Sequence, residues 1–203
     1  RADGRGKPRQ VSRKLAYYTD VAWSPDGQRI LALRATSYDR LYREFDSGAP
    51  IGSDLVWFPA RGGAAELIIP ARGYSRPHFG PDDERIYLYL SNTYSNSRNI
   101  GLISIRYDGS DRRSHLVAKG PGRPDDYSTE DRVAALDIRI SPDGRHALIH
   151  HANQLYVTAL LNTYLQNVTL DLVVPELPLA RLTDVGADFF SWSQTGEAIF
   201  WSV

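Results

Sequence analysis

The segment Val21-Ala-Trp-Ser-Pro-Asp-Gly-Gln-Arg-Ile-Leu31 decides the fold, because altered copies of it return three times along the chain. The copies of residues 23–27 are Phe79-Gly-Pro-Asp-Asp83, Ile140-Ser-Pro-Asp-Gly144 and Trp192-Ser-Gln-Thr-Gly196. Two apolar residues follow five and six positions after each proline position: Ile30 and Leu31, Ile86 and Tyr87, Ala147 and Leu148, Ile199 and Phe200. The copies are spaced by 56, 61 and 52 residues. Each repeat therefore has room for four strands and at least one enlarged loop.

The centre of the repeat is typical of a tight β-hairpin. Pro25 fixes φ at the first corner of the turn, Asp26 can bond to its own backbone, and Gly27 accepts a positive φ. Each copy therefore predicts a strand, a turn and an antiparallel return strand. The acidic residues of such turns, Asp26, Asp108 and Asp143, are explained by turn geometry.

Each hairpin is followed by two further predicted strands, so one unit is strand, tight turn, strand, long loop, strand, turn and strand. In the first three units the predicted strands are 20–23, 29–34, 54–58 and 65–69; 76–79, 86–90, 100–107 and 114–118; and 136–140, 146–150, 154–160 and 180–183. The fourth unit has 188–192 and 198–201. Residues 8–17 are predicted to form the outer strand of a preceding repeat.

Four-stranded units that cannot bury both faces alone must stack on neighbours, and the radial solution is a β-propeller. The sequence predicts an all-β propeller of four-stranded antiparallel blades, with about three full blades and a partial blade at each end. The predicted boundaries are 1–18 for the last strand of a preceding blade, 19–70, 75–118 and 133–184 for three blades, and 185–203 for half a blade. Four residues share one inner-strand position and are predicted to pack between adjacent sheets: Trp23, Phe79, Ile140 and Trp192.

The composition excludes several classes of partner. The 203 residues contain 24 basic and 24 acidic side chains, so no net field attracts nucleic acid or an anionic membrane. No apolar run is long enough to insert into a bilayer, and the basic N-terminal residues do not form a signal peptide. Cysteine is absent, which excludes disulfides. We expect an interior piece of a longer polypeptide, with any export signal upstream.

The predicted meander sends the long loops 36–53 and 91–99 to one face of the disc, where function usually resides. The insertion 162–178 is expected on the opposite face. Its apolar stretch 168–174 alternates like a strand, and it either extends a sheet or docks a neighbouring domain. The most binding-like segment is 38–46, in which Tyr38, Arg40, Tyr42 and Arg43 form a candidate binding loop, since tyrosine and arginine are favoured at interfaces. The alternative is a loop held by its own Arg–Asp pairs.

No catalytic, cofactor-binding or metal-binding residues are predicted in this chain. Its five histidines lack zinc-hydrolase spacing, His146 and His150 fall on one side of a strand, and His151 falls on the other. There is no Gly-x-Ser-x-Gly elbow and no phosphate-binding loop. Arg76 and His78, near the start of the second inner strand, are candidates to point toward a central channel.

The repeated Trp/Ile-Ser-Pro-Asp-Gly resembles the TolB-type propeller repeat over nearly the whole chain. Four further segments are similar to the propeller of bacterial propeller-linked amidohydrolases: Asp54-Leu-Val-Trp57, Ala71-Arg-Gly-Tyr74, Tyr107-Asp-Gly-Ser-Asp-Arg-Arg113 and Leu182-Thr-Asp-Val-Gly186. The resemblance implies an exported, periplasmic protein whose zinc chemistry lies in a separate barrel. None of the barrel's ligands matches a residue here.

We therefore expect a non-catalytic propeller fragment of a larger exported hydrolase, a metal-dependent amidohydrolase, that serves as a scaffold or substrate gate. Its partner would be its own catalytic domain. One alternative is a TolB-like scaffold of the cell envelope that binds a protein or peptide, with no enzyme attached. Another is the propeller of a prolyl-oligopeptidase-type serine peptidase.

Overall fold

The computed structural model describes residues 7–36, 53–70, 74–82, 84–90, 101–122, 132–160 and 168–203. Within these ranges the regular structure is β-strand, and no helix is long and apolar enough to cross a membrane. The strands are β1 (Tyr17–Trp23), β2 (Arg29–Ala35), β3 (Asp54–Pro59), β4 (Glu66–Ile69), β5 (Tyr74–Phe79), β6 (Arg85–Leu90), β7 (Gly101–Arg106), β8 (Arg113–Gly120), β9 (Val133–Ala134), β10 (Asp137–Ile140), β11 (His146–His151), β12 (Gln154–Ala159), β13 (Val168–Asp171), β14 (Leu179–Arg181), β15 (Phe189–Trp192) and β16 (Ile199–Ser202).

The strands form four sheets that follow the four repeats. The first sheet has the order β1-β2-β3-β4, the third β10-β11-β12-β14 and the fourth β15-β16. The second sheet runs β5-β6-β7-β8, with β13 added beyond β8 and β9 also paired to β8. All pairs along the repeat order are antiparallel. The predicted all-β fold of four-stranded propeller blades is confirmed.

The repeated turn is held by a serine that the sequence reading left without a role. Ser24 Oγ donates to Asp26 Oδ1 at 2.5 Å and accepts from the Arg29 amide at 2.8 Å. Asp26 Oδ1 also accepts from the Gln28 amide at 2.9 Å, and Gly27 has φ of 68°. Ser141 and Asp143 repeat these contacts in the third sheet. Hydrogen bonding to the serine holds the pKa of the Asp26 and Asp143 carboxyls below its usual value.

Three apolar cores lie between successive sheets. The first and second sheets share a core that includes Leu31, Leu55, Ile86 and Ile103. The second and third share one that includes Tyr89, Leu116, Ile138 and Ile149, and the third and fourth share one built on Leu148, Leu155 and Phe190. Because each sheet carries apolar residues on both faces, stacking buries surface that no sheet hides alone.

One inner-strand position was predicted to pack between adjacent sheets in all four repeats. This prediction is confirmed in three repeats and wrong in the first. Ile140 is 4% exposed, and Phe79 and Trp192 pack against cores. Trp23 is 59% exposed. It pairs with Ile30, whose side chain lies in a separate cluster on the side of the first sheet away from the second. Periodicity assigned Trp23 to a face correctly, but the described residues place no sheet against that face.

The prediction of a strand over residues 8–17 is also wrong. In the described part of this segment, only an isolated parallel bridge between Ser12 and Gly63 forms before β1 begins at Tyr17. Val11 packs on the first sheet and accepts a hydrogen bond from the Gly63 amide. The segment is polar and charged, and its contacts with the turn at 59–63, which include a hydrogen bond from Arg9 Nη2 to the Ala60 carbonyl, do not form a ladder.

The insertion in the third repeat pairs with the second sheet. β13 is parallel to β8, with Val168 opposite Leu116 and Asp171 opposite Lys119. Leu170 is 1% exposed in the core between the second and third sheets. Of the two roles left open for residues 168–174, the extension of a sheet is therefore the one observed, and the extended sheet is that of the preceding repeat.

Candidate functional site

Three equivalent positions of the inner strands carry alternating charges. Asp20, Arg76 and Asp137 each lie three residues before the inner-strand position of Trp23, Phe79 and Ile140. Arg76 Nη1 is 3.0 Å from Asp20 Oδ1, and Arg76 Nε is 3.6 Å from Asp137 Oδ2. The Asp137 side chain is 3% exposed and that of Arg76 is 50% exposed. One arginine therefore connects three successive sheets, with its buried partner on the third.

β-Bulges shape the backbone at two of these positions. The pairing of β1 with β2 shifts between Thr19 and Ala22, and that of β5 with β6 shifts between Ser75 and His78. Inside the bulges Asp20 has φ of 49° and Arg76 has φ of 53°. Residues with a Cβ rarely adopt this left-handed conformation, which persists only where surrounding contacts hold it. The ion pair between the two bulged residues is such a contact.

Asp137 is also held by an arginine of its own strand. Arg139 Nε donates to Asp137 Oδ2 at 2.9 Å, and Arg139 Nη1 donates to the Phe190 carbonyl at 2.8 Å. The Arg139 guanidinium lies 4.3 Å from the centre of the Phe190 ring, a cation–π distance. The chain of charged contacts therefore reaches from the first sheet to the fourth.

A cavity of about 470 Å³ opens beside this chain of charges. Its volume lies within the range of roughly 300–1,000 Å³ typical of ligand pockets. Two buried atoms at the cavity residues, Asp137 Oδ1 and His150 Nε2, have no hydrogen-bond partner among the described residues. The lining combines guanidinium donors, a carboxylate acceptor and aromatic rings: Arg76, Leu136, Asp137, Arg139, His150, Asp188, Phe189 and Phe190. The cavity is thus suited to a small polar group or to the side chain of a partner.

Arg76 and His78 were both candidates to point toward a central channel; Arg76 lines this cavity, and His78 does not. The Nδ1 atom of His78 is 2.8 Å from the Arg76 carbonyl, and its Nε2 atom is 3.0 Å from the Ile140 amide. Because the carbonyl accepts and the amide donates, the ring is neutral with its proton on Nδ1. Burial lowers the pKa of His78 to about 4. The bulge turns Arg76 outward and leaves His78 bridging the second and third sheets.

A serine and a histidine also meet between the strands of the second sheet. Ser104 Oγ is 2.7 Å from His115 Nε2 and accepts from Arg85 Nε at 2.9 Å. Ser104 is fully buried, so the pair is a structural contact and not a nucleophile open to a substrate. Burial lowers the pKa of His115 to about 4.

The structure brings no further candidate residues together in the part of the chain that it describes. Tyr38, Arg40, Tyr42 and Arg43 lie outside the described residues. His150 contacts the Phe190 ring of the fourth sheet, whereas His151 Nε2 is 2.9 Å from the Pro121 carbonyl, which confirms that the two histidines face opposite ways. In the described ranges no three His, Cys, Asp or Glu side chains converge in a way that could hold a metal ion.

The charged chain was missed by the sequence reading, although a signal was present. Aligning the repeats three residues before the inner-strand position places Asp, Arg and Asp in register, and alternating charges at equivalent positions of stacked sheets favour ion pairs. The β-bulges that allow the ion pair between Asp20 and Arg76 are not indicated by any pattern in the sequence.

No family model and no curated protein matches the sequence. The chain is, however, similar to several solved structures. The chain is similar to an oligogalacturonate lyase in complex with manganese, with a TM-score of 0.53 and 13% identity over 94% of this chain and 49% of the other. It is also similar to a "putative TolB" from Agrobacterium tumefaciens, with a TM-score of 0.46 and 20% identity over 78% of this chain and 50% of the other. A third is the β-propeller domain of the Trilobed protease from Pyrococcus furiosus, with a TM-score of 0.43 and 13% identity over 88% of this chain and 45% of the other.

The chain spans about half the length of each of these three structures. At 13% identity, the similarity to the lyase shows the fold alone. This similarity and the order of the strands within each sheet identify the chain as an all-β stack of β-propeller blades.

Proposed function

We propose that this chain is the non-catalytic β-propeller portion of a larger exported hydrolase of the amidohydrolase type, and that it acts as scaffold or substrate gate beside the catalytic domain. The observation that carries the proposal is the contact of Arg76 with both Asp20 and Asp137, which ties three sheets together beside a polar cavity. A rigid set of blades with charged groups at one end is suited to holding a partner domain and to selecting what passes.

The position of the cavity supports the role of a gate. It lies at the starts of β10 and β15 and near the end of β11, where Asp137 pairs with His150. β2 and β6, the second strands of the first two sheets, also end on this side. A catalytic domain seated there would place its substrate path over Arg76 and Phe189.

The catalytic chemistry is assigned to the partner domain of the same polypeptide. In such a domain zinc would activate a water molecule for hydrolysis. The described residues of this chain do not offer a matching set of ligands, so no catalytic step is assigned to them. The location that follows from this proposal is the periplasm.

Reading the gene beyond the codon for Val203 tests the proposal. Further blades followed by a barrel with a His-x-His motif would support it. A reading frame that ends once the ring closes would overturn it in favour of a TolB-like interaction scaffold, and a downstream Gly-x-Ser-x-Gly would replace it with a serine peptidase.

Zinc analysis of purified protein gives a second test. The 203-residue chain is expected to hold no stoichiometric zinc, while the full-length polypeptide is expected to hold it. Stoichiometric zinc in the short chain would contradict the assignment of the metal to a separate domain.

A further inference from the structure

A second cavity lies between the second and third sheets, next to the repeated turns that contain Pro81 and Asp143. Its volume is about 400 Å³, within the range of roughly 300–1,000 Å³ typical of ligand pockets. It lies at the other end of β10 from the first cavity, because Asp137 lines the first and Ile140 lines the second. Each of its two sheets packs against a neighbour on both sides. This turn-side cavity is therefore an internal feature of the stack and is separate from the proposed gate.

Arginine side chains from both sheets face the turn-side cavity. Arg85 and Arg113 line it from the second sheet, and Arg145 lines it from the third. The Arg85 side chain is 7% exposed, so its charge is removed from water and is held by contacts with the protein. Arg145 is exposed and has no ion-pair partner among the described residues. Its guanidinium group is therefore available to a ligand.

Asp111 holds the two arginines of the second sheet in place. Its Oδ2 atom is 2.7 Å from Arg85 Nη1 and 2.9 Å from Arg113 Nη2. Arg106 Nε is 3.4 Å from the same oxygen. One carboxylate is thus shared by three guanidinium groups, and its single negative charge does not balance them. This side of the cavity keeps an excess of positive charge on side chains whose positions are fixed.

Two carboxylates of the repeated turns also line the cavity, and the turns themselves bind both of them. Asp82 Oδ1 accepts hydrogen bonds from the Glu84 and Arg85 amides at 3.2 and 3.1 Å. Asp143 Oδ1 accepts one from the Arg145 amide at 3.0 Å. The lining therefore sets three guanidinium groups against two carboxylates, which leaves one positive charge without a partner in it. That charge favours an anion with a single negative charge.

A buried tyrosine adds a hydrogen-bond donor to the lining. Tyr87 is 5% exposed, and its ring centre is 5.2 Å from that of His115. Its hydroxyl forms no hydrogen bond within the described part of the chain, although buried hydroxyl groups usually have a partner. Burial raises the pKa of this phenol, so the hydroxyl keeps its proton and can donate it. Ile140 and Leu160 line the cavity as well and supply an apolar surface.

We infer that the turn-side cavity binds a monocarboxylate with a small apolar body. Its carboxylate would accept from Arg113, Arg145 and Tyr87, and its apolar body would lie against Ile140 and Leu160. A planar carboxylate matches the paired donors of a guanidinium group, and its single charge balances the excess in the lining. The inference concerns the other end of the inner strands from the proposed gate and does not depend on the proposed hydrolase.

Calorimetric titration of the protein with benzoate at neutral pH tests the inference. Benzoate is expected to bind at least about tenfold more tightly than benzamide, which has nearly the same shape without the charge, because hydrogen bonds to a charged group are the stronger ones. Benzoate and N-acetylphenylalanine distinguish a free acid from a peptide C-terminus as the source of the carboxylate. Whichever of the two binds more tightly identifies the source, and both results support the inference.

Two substitutions locate the site without disturbing the core. Arg145→Ala changes an exposed residue and is expected to weaken benzoate binding about tenfold. Tyr87→Phe keeps the buried ring and removes only the hydroxyl, and it is expected to weaken binding about threefold to tenfold. Arg61→Ala, at an exposed position in a turn of the first sheet, is the matched control and should leave the affinity unchanged.

Nuclear Overhauser contacts give a readout that does not depend on a substitution. The ring protons of bound benzoate are expected to show contacts with the side-chain protons of Ile140 and Leu160. The absence of benzoate binding at the highest soluble concentration, or equal binding of benzamide, would overturn the inference. Unchanged affinity in both Arg145→Ala and Tyr87→Phe would do the same, because benzoate would then bind elsewhere. Tighter binding of phenyl phosphate than of benzoate would overturn the assignment to a carboxylate.

Discussion

Arg76 and Asp20 occupy equivalent positions in successive repeats, and they form an ion pair of 3.0 Å between the first and second sheets. Both residues sit in β-bulges with positive φ. The same arginine reaches Asp137 of the third sheet. Equivalent positions of the repeat thus form two ion pairs that link the first sheet to the second and the second to the third.

Replacing Arg76 by alanine is expected to lower the free energy of unfolding by about 1–2 kcal/mol, because Asp137 is buried and, among the described residues, keeps Arg139 as its one ion-pair partner. Chemical denaturation measures the change. Arg181→Ala is the control, since Arg181 pairs at 3.9 Å with Asp184, which is 97% exposed, and its loss should have little effect. Equal losses in the two variants would show that the contact across the sheets contributes nothing.

Replacing Gly27 and Gly144 of the repeated turns by alanine is expected to lower stability by different amounts. Gly27→Ala is expected to lower the free energy of unfolding by about 1 kcal/mol, which is the strain of an alanine in the left-handed conformation. No steric cost is added, because the new Cβ enters open space. Gly144→Ala, with a similar φ of 75°, is expected to cost about 1 kcal/mol more, because its Cβ collides with Pro81. Thermal unfolding of the two variants compares the costs. Identical shifts would mean that Pro81 moves aside freely.

Stability is expected to fall as the pH drops from 6.5 toward 4. Burial lowers the pKa of His78 and of His115 to about 4 from a usual value of 6.5, so the unfolded chain binds more protons than the folded chain in this interval. His78→Gln should flatten the dependence of the unfolding free energy on pH. His146→Gln, at an exposed position of β11, should leave it unchanged. A slope that persists in a His78→Gln/His115→Gln double variant would exclude these two groups as its source.

Leu170→Ala is expected to lower the free energy of unfolding by about 2–4 kcal/mol, because it opens a cavity in the core between the second and third sheets. Thr169→Ala, at the neighbouring exposed position of β13, should change it by less than about 0.5 kcal/mol. Urea unfolding distinguishes the two outcomes. A small effect of Leu170→Ala would mean that β13 does not contribute to the stability of the core.

The hairpins could be predicted because their causes are local. Pro25, Asp26 and Gly27 set the turn through backbone geometry and a side-chain bond within five residues. The parallel pairing of β13 with β8 could not be predicted in the same way. It joins residues such as Leu170 and Ala118 that are distant in sequence, and alternating apolar residues specify a strand but not its partner.

The sequence by itself determined the repeat, the turn chemistry, the strand alternation and hence the all-β blades, because each depends on residues close together in the chain. The tertiary structure alone decided that Trp23 is exposed, that His78 is neutral and bridges two sheets, and that Arg76 joins Asp20 to Asp137. Those outcomes depend on which sheet lies opposite and on how a bulge turns the backbone. Both are set by contacts between repeats, which a linear pattern does not contain.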